Sequence, residues 1–172
     1  KGLRMLSQRE GATVFIVLMA ALKVVLMRYS GEEDLSVGTA VANRTRRDWD
    51  GLIGFFVNTL VLRTNLSGDP SVRELLGRVR EVCLGAYAHQ DLPFEKLVEA
   101  LQPVRNMSYT PLFQVMFALQ NVPRERLKLS GLTVSPFEID PGTAKFDLTV
   151  FMSEEGEELR GVFEYNSDLF EA

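Results

Sequence analysis

The sequence predicts an α/β layered domain, a mixed β-sheet with helices packed on it. Three observations carry this. Hydrophobic residues make up 46% of 172 residues, enough for one domain with a real core. Apolar residues recur at helical spacing over 72–86 and 94–101. Other stretches alternate apolar and polar residues as strands do, in the order helix, strand, strand, helix, helix, then four strands.

Taken in order, Ser7 and Glu10 form a capping-box pattern for a first helix. The apolar run 11–27 follows, and Ser30-Gly31 supplies its stop. Residues 35–42 alternate as a strand, and the charged, turn-rich 43–50 is a loop. A second strand covers 56–64. Asp69, as cap, and Pro70, at the first helical position, open the next helix. Its face is Val72, Leu75, Leu76, Val79, Val82, Cys83 and Ala86. A shorter helix starts near Pro93, with Phe94, Leu97, Val98 and Leu101 as its face. Strands are expected over 113–119, 133–139 (Pro136 marking an edge or bulge), 146–152 and 159–165. The last two form a hairpin through Gly156. Ser167-Asp168-Leu169-Phe170-Glu171 has the pattern of a helix start, so the chain is expected to be a piece of something longer.

The formal net charge of -4 argues against a nucleic-acid partner, which calls for a basic face. The run 11–27 holds Lys23 and falls short of the roughly 20 apolar residues that span a bilayer, so a buried core helix is expected rather than a membrane span. One cysteine, Cys83, allows no internal disulfide and suits a reducing, cytoplasmic compartment. One His and one Cys build no zinc site, and no glycine-rich nucleotide loop is present.

Few residues invite chemistry. Asn58 shares a strand face with Phe56, Leu60 and Leu62, and Arg63 shares the other with Val57, Thr59 and Val61. Both faces are otherwise apolar, so this strand is expected to be central and covered twice. Arg63 then needs an acidic partner. Asn58 is either a satisfied core amide or a donor to a substrate carbonyl. His89, at a helix end, is either a C-terminal cap or a general base without a placed partner. Gly38 marks a close backbone approach. Arg44, Arg46 and Arg47 are either a solvated loop or a contact for a phosphate or an acidic partner protein.

Three segments lie in sequence: 53–63 (Ile-Gly-Phe-Phe-Val-Asn-Thr-Leu-Val-Leu-Arg), 89–95 (His-Gln-Asp-Leu-Pro-Phe-Glu) and 105–112 (Arg-Asn-Met-Ser-Tyr-Thr-Pro-Leu). They resemble the later core motifs of the condensation domains of nonribosomal peptide synthetases. Residues 38–44, 145–148 and 164–170 resemble further strands of the same family, so the likeness covers nearly the whole chain. It implies a chloramphenicol acetyltransferase-like half-domain. Residues 1–172 would be the C-terminal subdomain of a condensation domain, cut out of a long synthetase.

The family joins a carrier-tethered aminoacyl or peptidyl thioester to an aminoacyl acceptor, through a tunnel between two α/β halves. Its His-His-x-x-x-Asp-Gly motif does not occur here, and His89 is not its equivalent, so no catalytic residue is expected in this chain. By position, Thr39, Ala42, Asn43, Asn58 and Gln90 would line the tunnel, with Asp91 helping to order that region. Arg63 would form a structural or inter-half ion pair. Arg44, Arg46 and Arg47 would meet a carrier protein or its phosphopantetheine. No cofactor is expected to bind directly; phosphopantetheine is presented by partner carrier proteins. Asn106, Tyr109 and Thr110 depart from the family's usual spelling, which leaves Pro111 and Leu112 to lead into the next strand. The expected partners are the N-terminal condensation subdomain, peptidyl or acyl carrier proteins and an adjacent adenylation domain, with self-association of the isolated half. The alternatives are a noncatalytic platform for a carrier protein or the other half, or a relative that epimerises or heterocyclises.

Overall fold

The computed structural model describes residues 2–49, 51–104, 109–120, 131–132, 134–135, 137 and 142–171. The elements are α1 (Gly2–Arg9), α2 (Val14–Ser30), β1 (Asp34–Val41), a short 3-10 turn (Arg47–Trp49), β2 (Asn58–Asn65), α3 (Val72–Ala88), α4 (Phe94–Leu101), β3 (Val115–Gln120), β4 (Leu148–Glu155) and β5 (Glu158–Tyr165). The strands form one mixed sheet in the order β2-β1-β3-β4-β5. The central pairs β1–β3 and β3–β4 are parallel, and the outer pairs β1–β2 and β4–β5 are antiparallel. This is the expected layered fold, and the β4–β5 hairpin is where the alternation put it. No single helix among the described residues is long and apolar enough to cross a membrane.

One face of the sheet carries the core. Val37, Leu62, Phe117 and Val150 point at Ile16, Val17, Met19 and Ala20 of α2 and at Leu75, Leu76, Val79 and Cys83 of α3. Each side chain buried there contributes roughly 1.5–3 kcal/mol by area removed from water. Lys23 sits in the middle of this apolar layer at 0% exposure. Its ammonium donates to the Leu62 carbonyl at 2.6 Å and the Leu35 carbonyl at 3.0 Å. It thereby pins α2 to the β1–β2 ladder, and burial lowers its pKa to about 8.

Several expectations change. Ser7 and Glu10 do not cap the long helix. Gly11, with φ 59, ends α1, and Thr13 caps α2 by accepting from the Ile16 N–H at 3.2 Å. Glu10 pairs instead with Arg73 of α3 at 2.8 Å. Asp69 is not the cap of α3 either. It takes a left-handed φ of 47, and Ser71 and Glu74 form a reciprocal capping box. The box satisfies two orphan donors at once, which Asp69 with Pro70 cannot. Leu101 of α4 is exposed rather than part of a buried face. The strand 56–64 is not central: among the described residues β2 is an edge strand, with one buried face (Asn58, Leu60, Leu62, Thr64) and one face that ends in the exposed Arg63 and Asn65. Of the strand expected over 133–139, Thr133, Pro136, Glu138 and Ile139 lie outside the described residues, and Val134, Ser135 and Phe137 form no strand.

Gly38 meets a ring rather than a ligand. A Cβ at this position would lie 2.3 Å from Phe113. Phe113 in turn packs on Phe94 and Phe146, with centroids at 5.7 and 5.3 Å. This cluster covers the second face of the sheet at its β1 end and brings α4 down beside it.

Candidate functional site

Asn58 builds the site. It is the first residue of β2, on the buried face, at 9% exposure. Its Nδ2 donates to the Leu92 carbonyl at 2.7 Å and the Gln90 carbonyl at 2.8 Å. Its Oδ1 accepts from the Thr59 N–H at 2.9 Å and the Phe94 N–H at 3.1 Å. Every hydrogen-bonding capacity of the amide is used. Asn58 is therefore the satisfied amide of the two readings, and its partners are the backbone of the 89–95 segment. One side chain fastens two sequence motifs that lie about thirty residues apart.

A cleft of about 380 Å³ opens where they meet. It is lined by Asn43, by Phe55, Val57, Asn58 and Thr59 around the start of β2, and by Asp91, Pro93, Phe94 and Glu95. Asn43 holds a left-handed φ of 50, and its buried Oδ1 has no partner among the described residues. Of the expected lining residues, the structure brings Asn43 and Asn58 together with Asp91. Thr39 is buried within β1, opposite Leu60, and does not reach the cleft. Ala42 is exposed beside it, and Gln90 contributes its carbonyl to Asn58 rather than a cleft wall.

Arg63 does find its carboxylate, but in solvent. Its Nη2 lies 2.6 Å from Asp34 of β1 in a bidentate pair. The Arg63 hydrogen bond holds the Asp34 carboxyl below its ordinary range. The loop arginines separate into two kinds. Arg44 donates to the Trp49 and Leu52 carbonyls and lies over the Phe56 ring, 4.2 Å from its centroid. Arg46 is exposed, 3.5 Å from Asp48, and Arg47 has no ion-pair partner among the described residues. His89 is exposed at the end of α3 and donates from Nδ1 to the Gly85 carbonyl at 2.9 Å; it meets no acid among the described residues. Of the motif 105–112, residues 105–108 lie outside the described residues.

Sequence reasoning missed Phe55, Val57 and Glu95 as lining residues, and Lys23 as a pin. Lys23 had a signal, a lone cation amid an apolar helix. The lining residues had only their neighbourhood to Asn58 and Asp91.

A family model described as the condensation domain matches residues 1–172. The chain belongs to the condensation-domain family. A linear gramicidin synthase from Brevibacillus parabrevis is 56% identical over 168 residues, 96% of this chain and 3% of that protein. Chondramide synthase cmdD of Chondromyces crocatus is 49% identical over 171 residues, 99% of this chain and 4% of that protein. This condensation chain thus spans a few hundredths of the curated relatives' length. In a holo four-domain nonribosomal peptide synthetase, AB3403, bound to AMP and glycine, 28% identity accompanies a TM-score of 0.90 over 99% of this chain and 14% of that one. The X-domain from teicoplanin biosynthesis matches with 29% identity and a TM-score of 0.87, over 98% of this chain and 39% of that one. The fold is the chloramphenicol acetyltransferase-like one of condensation domains.

Proposed function

We propose that residues 1–172 are the C-terminal subdomain of a synthetase condensation domain and supply one wall of the channel in which a peptide bond forms. The acceptor amine attacks the carbonyl of the donor thioester. The new C–N bond replaces the C–S bond, the sulfur of the donor's phosphopantetheine arm leaves as a thiolate, and the proton lost by the amine balances it as a free thiol. This chain offers no imidazole for that proton, because His89 faces solvent and is fastened to its own helix. Its contribution is a shaped surface. The observation that carries the reading is the Asn58 clamp, which joins two family motifs in the lining of one cleft.

Carrier proteins that present phosphopantetheine are the proposed partners, with an N-terminal subdomain and an adenylation domain in the same synthetase. Arg46 and Arg47, exposed on the loop after β1, are the arginines able to meet an anionic carrier. The relatives are synthetases of antibiotics and other secondary metabolites, and we read this chain as cytoplasmic machinery of the same kind.

The test is amide formation by this chain joined to the preceding part of its synthetase, supplied with loaded carrier proteins. Asn58→Ala releases the 89–95 segment, and turnover is expected to fall by about 10–100-fold, as for other misplaced positioning elements. Wild-type turnover in a folded Asn58→Ala variant would remove the cleft from the reaction.

A further inference from the structure

The loop over residues 51–57 poses a physical problem. It carries no ladder and no helix. It buries little of its own apolar surface: Ile53 is 105% exposed, Phe55 is 91% exposed, and Leu52 and Val57 are exposed too. Hydrophobic burial therefore does not hold it, yet Phe55 and Val57 line the cleft.

Arg44 ties it to the end of β1, and the Leu52 N–H adds a hydrogen bond to the Trp49 carbonyl at 3.1 Å. Arg44, half-buried at the end of β1, donates from Nη1 to the Trp49 carbonyl and from Nη2 to the Leu52 carbonyl at 2.9 Å. The same guanidinium covers the Phe56 ring at 4.2 Å. Phe56 lies beside Trp49, with centroids 6.0 Å apart, and against Gly54, where a Cβ would come within 3.1 Å of the ring. Two carbonyls and one ring, spread over eight residues of loop, converge on one planar group. Only arginine combines a fork of donors with a stacking plane; lysine has a point charge and neither geometry.

We propose that Arg44 is a positioning residue: it presets residues 51–57 as a wall of the cleft rather than serving as a phosphate contact. This rests on the reading of the cleft as a channel wall. The sequence groups Arg44 with Arg46 and Arg47, but two of its five N–H donors and one face of its guanidinium are already committed to the loop.

Trp49 is the sole tryptophan and lies inside this arrangement, so its fluorescence reports on the loop. In Arg44→Met the emission is expected to shift to the red and acrylamide quenching to increase, while the far-UV circular dichroism keeps its native shape. Arg44→Lys is expected to behave like Arg44→Met. Unchanged emission and quenching in a folded Arg44→Met chain would overturn the proposal whatever the kinetics. Should Arg44→Met lose its helical signal, Phe56→Leu takes its place. That variant keeps the carbonyl bonds and removes the ring, and increased quenching again supports the proposal while unchanged quenching overturns it. In the chain joined to the preceding part of its synthetase, Arg44→Met is expected to raise the acceptor KM about tenfold with kcat nearly held, the mark of lost uniform binding. A loosened loop with unchanged KM would leave the hold of Arg44 on the loop standing and overturn the channel-wall reading instead.

Discussion

At the scale of single residues, buried polar groups decide what this fold can do. Asn58 was legible as unusual because an amide stood among apolar strand positions. Its four partners were not, because they are backbone groups, three of them from a segment distant in sequence. Lys23 was legible only as an interruption of an apolar run. Its burial makes a pH signature. Between about 8 and 10.5 the unfolded chain holds a proton on Lys23 that the folded chain has lost, so stability rises with pH. Cys83, its neighbour in the core, acts oppositely. Burial raises its thiol from 9.0 to about 11, so over that range the folded chain keeps a proton that the unfolded chain sheds, and stability falls. Burial also raises the Tyr87 phenol, which adds to the loss above pH 10.0. Urea unfolding at a series of pH values is therefore expected to show stability rising from pH 8 to 9, changing little to about 10, and falling above it. Lys23→Met abolishes the rise. A wild-type chain whose stability is flat from pH 8 to 9 would show that Lys23 is not held as described.

At the scale of elements, periodicity located the helices and strands, and competing local signals blurred their ends. Ser-x-x-Glu occurs at Ser7 and at Ser71, but only the second is a cap, because Gly11 breaks the helix after the first. The alternation in 56–64 could not distinguish an edge from a centre. Thr59 and Val61 are only half-buried, and the strand order leaves β2 with one neighbour among the described residues. Arg63 follows from that. On an exposed face it pairs with Asp34 in water, so the pair is expected to matter little and less at high salt. Gly38 carries more of the architecture than Arg63 does. The Phe113 ring occupies the space of its missing Cβ and leads on to Phe94 of α4, hence to the cleft wall. Gly38→Ala is expected to cost about 1–3 kcal/mol, as overpacking does. Gly38→Ala with Phe113→Leu is expected to recover part of that loss. A denaturation midpoint in Gly38→Ala equal to wild type would mean that the ring moves freely and does not position α4.

At the scale of the whole molecule, the described residues bury one face of the sheet well and leave large apolar side chains on the surface. Ile53 and Phe55 on the loop before β2, Phe137, and Val162 and Phe163 on β5 are all exposed. A soluble monomer seldom displays so many without a partner. The composition had suggested a well-filled core and concealed this, since 46% hydrophobic residues says nothing of which side they face. The family motifs brought the cleft within reach of sequence, whereas the arginine's hold on its loop needed coordinates. The isolated chain is expected to self-associate, with light scattering giving a mass above 19.3 kDa that grows with concentration. A monomer at every concentration would mean that these side chains are tolerated in water.

The central claim is that the chain shapes a reaction channel without the group that handles the amine's proton. The most direct measurement is amide-bond formation between two loaded carrier proteins, with the isolated chain and with the chain joined to the preceding part of its synthetase. We predict background rates for the first and multiple turnovers for the second. Turnover above background by the isolated chain, abolished by His89→Ala, would contradict it.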